Sequence, residues 1–136
     1  MSAASLDLQK AIVLRLTTDA TLTTQLGGAK IYDHPAHNAA LPYVSIGLTQ
    51  SYDWSTASED GRAHLVSLHV WSRAGGRIQT HDIMEKIRLR LEGLSADLLT
   101  HRLVLMHLEF EEVRFDVSED GYHGTLRYRA LTEPIN

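Results

Sequence analysis

The amino-acid sequence predicts an α+β fold of order α-β-β-α-β-β, a mostly antiparallel sheet with two helices packed on one face and protruding hairpins. Three observations carry this expectation. Two stretches with apolar residues at helical spacing, 5–17 and 77–92, each stand ahead of a pair of alternating stretches. The word Ser-Glu-Asp-Gly occurs twice, at 58–61 and 118–121, sixty residues apart and each time between strand-like runs. Both halves, 5–73 and 77–132, therefore read helix, strand, strand, which segregates helices and strands into two layers. The word is also ordinary turn chemistry, so it does not by itself establish a duplication.

The first helix takes Ser5 as its cap and Asp7 in its first turn, where the dipole favours an anion. Leu8, Ala11, Ile12 and Leu16 form its apolar stripe, which Val13 and Leu14 widen. A short helical turn follows, with Asp19 as cap, Leu22 and Leu26 inward and Gly27-Gly28 as the stop. Ile31-Tyr32 reads as a brief strand, and 33–42, with two prolines and an asparagine, as a loop. From Tyr43 to Tyr52, Val44, Ile46 and Leu48 point to the core, with Ser45, Gly47, Thr49 and Ser51 on the other side.

The strongest strand comes next. Its Val66, Leu68 and Val70 share one face, while Leu65, Ser67, His69 and Trp71 share the other. Core positions on both arms of this hairpin are even-numbered, so the pairing sum is even, and a three-residue Glu59-Asp60-Gly61 loop satisfies that. Gly75-Gly76 lead into the second helix, whose stripe is Thr80, Ile83, Met84, Ile87 and Leu91, with Gly93 at its stop. Residues 102–117 form a long strand with Val104, Met106, Leu108 and Phe110 inward. Val113 and Phe115 then change parity, which predicts either a bulge near Glu111-Glu112 or a distal stretch outside the sheet. The last strand, 122–132, puts Leu126, Tyr128 and Ala130 inward and Thr125, Arg127, Arg129 and Leu131 outward. A Glu119-Asp120-Gly121 loop sets Glu111 opposite Arg129, with Arg127 and Arg129 neutralising Glu109 and Glu111.

At 136 residues the chain reads as one domain, 1–136. Its 43 % hydrophobic and 22 % charged content is that of a globular protein, and its net charge of −4 argues against nucleic-acid binding as its main task. With no cysteine it has no disulfide framework and no thiolate chemistry. Apolar runs fall far short of a membrane span. No signal peptide is expected, and the default home is the cytosol or an assembly built there.

Eight histidines invite a metal reading, but His34-Pro-Ala-His37 sits on a proline-broken loop, and the others lack ligand spacing. Nucleophile-elbow, Walker and dinucleotide glycine patterns are absent, so neither catalysis nor a cofactor is expected. What remains is surface. Tyr52, Trp54, Phe115 and Tyr122 fall toward the distal ends of the hairpins, and His69 and Trp71 on the mixed face of the strongest strand. The tips carry Glu59, Asp60, Glu119 and Asp120. These ten residues are the candidate contact surface for partner proteins.

The stretches Leu8-Gln-Lys-Ala-Ile-Val13, Leu26-Gly-Gly-Ala-Lys-Ile-Tyr-Asp33 and Leu41-Pro-Tyr-Val-Ser-Ile-Gly47 resemble the tail completion proteins of siphophages and gene transfer agents. So do Asp53-Trp54-Ser55, Leu68-His-Val-Trp-Ser-Arg73 and Arg129-Ala-Leu-Thr-Glu-Pro134, and together they span nearly the whole chain. That resemblance implies the fold of the lambda-type tail terminator and a virion structural protein assembled in the host cytoplasm. It implies a hexameric ring that caps the tail tube, ends its polymerisation and docks to the neck proteins on the head side. Its partners would be further copies of itself, the tube protein and the head–tail connector, with DNA passing through the lumen without specific binding. A lumen lined by the acidic hairpin tips would not hold phosphates in transit. Three rival readings are a head-completion or stopper protein of the neck, a nucleic-acid-binding module using Arg73, Arg77, Arg88 and Arg90, and a small hydrolase or metal protein using the histidines.

Overall fold

A computed structural model describes residues 4–35, 38–57, 60–73 and 75–135, without the side chain of Leu48. Two helices, α1 (Ala4–Thr17) and α2 (Ala20–Leu26), precede three strands, β1 (Ile31–Tyr32), β2 (Tyr43–Asp53) and β3 (Arg62–Ser72). Helix α3 (Arg77–Leu91) follows, then β4 (Ala96–Asp97), β5 (His101–Asp116) and β6 (Gly121–Pro134). The six strands form one sheet in the order β1-β2-β3-β6-β5-β4, antiparallel throughout except for the parallel β1–β2 pair. Helices pack on one face of it, so the predicted α+β architecture holds.

Local chemistry accounts for the helix ends. Asp19 caps α2 by accepting from the backbone N–H groups of Thr21 and Leu22, and Gly27 closes it at φ 80°. Ser5 does not cap α1, because the helix already begins at Ala4 and Ser5 lies inside it. Asp7 does sit in the first turn, where it is buried. Its carboxylate accepts from the Thr100 backbone N–H at 3.0 Å and from the Thr100 hydroxyl, which ties α1 to the start of β5.

The core lies between the helices and the even-numbered side of the central strands. Leu8, Ile12 and Leu16 of α1 and Ile83, Met84, Ile87 and Leu91 of α3 are fully or almost fully buried. They meet Val66, Leu68 and Val70 of β3 and Leu126, Tyr128 and Ala130 of β6. Each such Leu, Ile, Val or Met side chain contributes about 1.5–3 kcal/mol. Gly124 brings α3 close to β6, since a Cβ there would meet Met84 Sδ at 2.6 Å and Thr80 Cγ2 at 2.9 Å.

The central β3–β6 ladder runs from Arg62↔Thr132 to Ser72↔Tyr122 and sets Ser67 opposite Arg127. That partner is sixty residues on, the same offset that separates the two Ser-Glu-Asp-Gly words. An approximate two-fold axis therefore passes through the Ser67–Arg127 pair, with β2 and β5 on either side. The axis relates β2 and β3 to β5 and β6 and goes no further, since the edge pair β1–β2 is parallel and β4–β5 antiparallel.

Register departs from expectation in the outer strands. β2 ends at Asp53, and the first hairpin closes at the Trp54 N–H to Gly61 carbonyl bond of 2.8 Å, so its connection is longer than a three-residue loop. The predicted even sum holds from Tyr43↔Trp71 to Ile46↔Leu68, but a bulge before Thr49 shifts the rest and sets Thr49 and Ser51 opposite Val66 and His64, on the helix side. The core assignment of Leu48 lies outside the described side chains.

In β5 two bulges, between Leu103 and Leu105 and between Leu108 and Phe110, set the parity. Leu103 and Met106 are fully buried, whereas Val104 and Phe110, expected inward, are 41 % and 39 % exposed. The parity change at Val113 and Phe115 is real, but the bulge that causes it lies ahead of Glu111. The C-terminal end of α3 grips the edge of β5 between the two bulges. Gly93 N–H donates to the Met106 carbonyl at 2.9 Å, and the Glu92 carboxylate accepts from Leu108 N–H at 2.8 Å. Glu111 consequently faces Leu126 rather than Arg129 and pairs with Arg88 of α3 at 2.6 Å.

Candidate interaction surface

Among the described residues, no helix covers the odd-numbered side of β3 and β6, which we call the outer face. At one end of it, His69 and His123 form a hydrogen bond of 2.7 Å between Nδ1 and Nε2. The Trp71 indole stacks on His123 with centroids 4.0 Å apart and planes 9° off parallel. The His69 ring lies over Gly47, where a Cβ would strike Nε2. Burial pushes the His123 pKa down to about 4 and lowers that of His69, so both rings are neutral at pH 7 and one donates to the other. This cluster is packed on itself. His64 is likewise structural: it is buried between Ser51 Oγ at 2.9 Å and Thr132 Oγ1 at 2.8 Å, with its pKa lowered by burial to about 4. Among the described residues, no group of three or more histidine and carboxylate side chains is placed to hold a metal.

Toward the other end of the outer face, Tyr52, Asp53, Trp54, Leu65, Glu109 and Arg129 line a groove of about 380 Å³. Tyr52 and Trp54 are half exposed there. Beside it, Gln50, Leu65, Ser67 and Arg127 surround a smaller pocket of about 240 Å³, and the Arg127 guanidinium lies 5.1 Å over the Phe110 ring. A third cleft, of about 600 Å³, lies between the 38–43 loop segment, Arg73, Gln79 and Glu119. Arg73 holds the β5–β6 turn there by donating to the backbone carbonyls of Asp120 at 2.9 Å and Glu119 at 3.1 Å.

The arginines of the nucleic-acid reading are engaged within the molecule. Arg73 is on the turn carbonyls, Arg77 lies over Tyr122, Arg88 pairs with Glu85 and Glu111, and Arg90 pairs with Asp19. They form no free basic stripe.

A family model described as tail completion protein gp17 matches residues 10–133. The chain belongs to the tail completion protein family. Among solved structures, it is similar to a chain in the virion of a native gene transfer agent particle, with 28 % identity and a TM-score of 0.87. That match covers 98 % of this chain and 99 % of the other. It is also similar to the gp17 protein of bacteriophage SPP1, with 25 % identity, a TM-score of 0.59 and coverage of 98 % and 91 %. No curated protein sequence matches it. The family is one of structural proteins, in keeping with the absence of any catalytic motif in the sequence.

In this tail completion protein the ten expected contact residues do not form one surface. Tyr52 and Trp54 belong to the outer-face groove, His69 and Trp71 to the histidine cluster, and Phe115, Glu119, Asp120 and Tyr122 to the β5–β6 end. Phe115 and Tyr122 pack edge to face on the helix side of the sheet. Asp60 is exposed near the end of the first hairpin connection, and Glu59 lies outside the described residues. The two hairpin tips lie at opposite ends of the sheet. The contacts of His123 depend on the β3–β6 register, and the expected pairing of Arg127 and Arg129 with Glu109 and Glu111 does not form, since Glu111 pairs with Arg88.

Proposed function

We propose that this tail completion protein forms a ring, with six copies as the expected number, that caps the tail tube of a phage-like particle. The ring ends tube polymerisation and presents a docking surface to the neck proteins on the head side, while DNA passes through its lumen. Family membership over residues 10–133 carries this reading, supported by the end-to-end likeness to a chain of a gene transfer agent virion. The distribution of exposed anchors supports it too. Tyr52 and Trp54 lie on the outer face at one end of the sheet, and Phe115 on the helix side at the other. Anchors placed on different faces suit a head-to-tail contact between copies, which closes into a ring, better than a self-complementary dimer contact.

Tube growth tests the capping role. Adding the purified protein to polymerising tube protein of the same particle is expected to stop elongation and yield tubes capped at one end. Tubes that lengthen unchanged at saturating protein would contradict it.

A further inference from the structure

Arg127 and Arg129 stand two residues apart on the outer face of β6, both exposed. Arg88, Arg90, Arg102 and Arg114 each hold a carboxylate, but neither Arg127 nor Arg129 forms an ion pair among the described residues. Glu109 lines the groove with Arg129 without pairing to it. The Arg127 guanidinium carbon lies 5.1 Å over the centre of the Phe110 ring. Leu65, Phe110, Tyr52 and Trp54 are all accessible beside them, with Asp53, Glu109, Gln50 and Ser67 as the polar neighbours. Unpaired arginines set among exposed aromatics have the composition of an interface centre.

The same molecule carries the converse surface. In the β5–β6 turn the Glu119 and Asp120 side chains are exposed and form no ion pair among the described residues, and Val117 beside them is 82 % exposed. Arg73 grips the turn by its carbonyls, so the acids are presented on a fixed backbone. From Arg129 to the start of β6 is roughly 25 Å of strand at ~3.3 Å per residue. One copy cannot bring the two surfaces together, and a second copy can.

We propose that the Arg127–Arg129 face of one copy receives the Glu119–Asp120 turn of the next, with Val117 entering the groove beside Trp54. The inference rests on the ring reading and gives it a contact. The carboxylates supply the missing partners of the guanidinium groups, and Val117 leaves water as Tyr52 and Trp54 do. Because the two surfaces differ, the contact is heterologous and repeats around the ring.

A charge exchange tests it. Arg127→Glu with Arg129→Glu reverses one side, and Glu119→Arg with Asp120→Asn reverses the other. Asparagine is chosen at 120 because Asp120 has φ 48°, a region that Asn tolerates. Circular dichroism and thermal unfolding first establish that each variant folds like the wild type. Native mass spectrometry then counts rings assembled on tube ends. Each double variant is expected to form rings at least about tenfold less than the wild type, and the fourfold variant to recover them.

Rings at wild-type level from both double variants would overturn the contact while leaving the ring reading intact. Loss in the double variants without recovery in the fourfold variant would also overturn it. So would arginine variants that assemble fully but fail to transfer DNA, since the arginines would then face the nucleic acid. Absence of rings from the wild type would remove the ring reading itself.

Discussion

Tyr128 shows how one side chain serves packing at the expense of its polar atom. It is fully buried on the helix face between Val66 and Leu108, and its hydroxyl has no hydrogen-bond partner among the described residues. Burial accordingly raises its pKa. Replacing Tyr128 with Phe removes an unsatisfied group and keeps the ring, so thermal unfolding is expected to show a stability unchanged or raised by up to about 1 kcal/mol. Residues of this kind were legible in the sequence: Leu126, Tyr128 and Ala130 alternate, and alternation alone assigns them to the core. His123 was not legible. It follows the same alternation on the outward side, and only the ladder that sets it opposite Trp71 reveals its stacking and its bond to His69.

At the scale of elements, the helices follow directly from spacing and caps, while the long strand β5 does not. Its two bulges flank the residues that Gly93 and Glu92 at the end of α3 hold, and no local pattern encodes that grip. Hence Val104 and Phe110 turn outward although they continue an inward alternation. Two substitutions test how the helices are seated. Gly124→Val pushes β6 against Met84 and Thr80, and a loss of roughly 1–3 kcal/mol is expected in urea unfolding. Asp7→Ala leaves the Thr100 N–H unpaired and detaches α1 from β5, at an expected cost of about 1–3 kcal/mol in the same assay. The hydrogen bonds from Thr100 hold the Asp7 pKa below its ordinary value, so the Asp7 contribution is complete above that value and is lost only as pH falls through the lowered one.

On the scale of the whole molecule, the turn word repeats at an offset of sixty residues, and the Ser67–Arg127 pairing centres the β3–β6 ladder at that same offset. The sequence could not place the two hairpin ends relative to one another, because that depends on β3 and β6 meeting in the middle of the sheet. A separate consequence for stability comes from the neutral histidines. His64 and His123 have folded pKa values of about 4 against an ordinary value near 6.5. Between those values the unfolded chain takes up protons that the folded chain refuses. Stability is therefore complete above pH 6.5 and falls as pH drops toward 4, by roughly 2–3 kcal/mol for each residue. Unfolding free energies at pH 7.5 and pH 5 should show this slope, and His64→Gln should remove part of it.

Copies of this protein are proposed to close head-to-tail into a cap on the tail tube. Imaging particles at the head-proximal end of the tail, with the copies there counted by mass, tests this most directly. A closed ring is expected, six copies being the expected number, in which the outer face of each copy meets the β5–β6 end of the next. A single copy at that position, or two copies joined through identical surfaces, would contradict it.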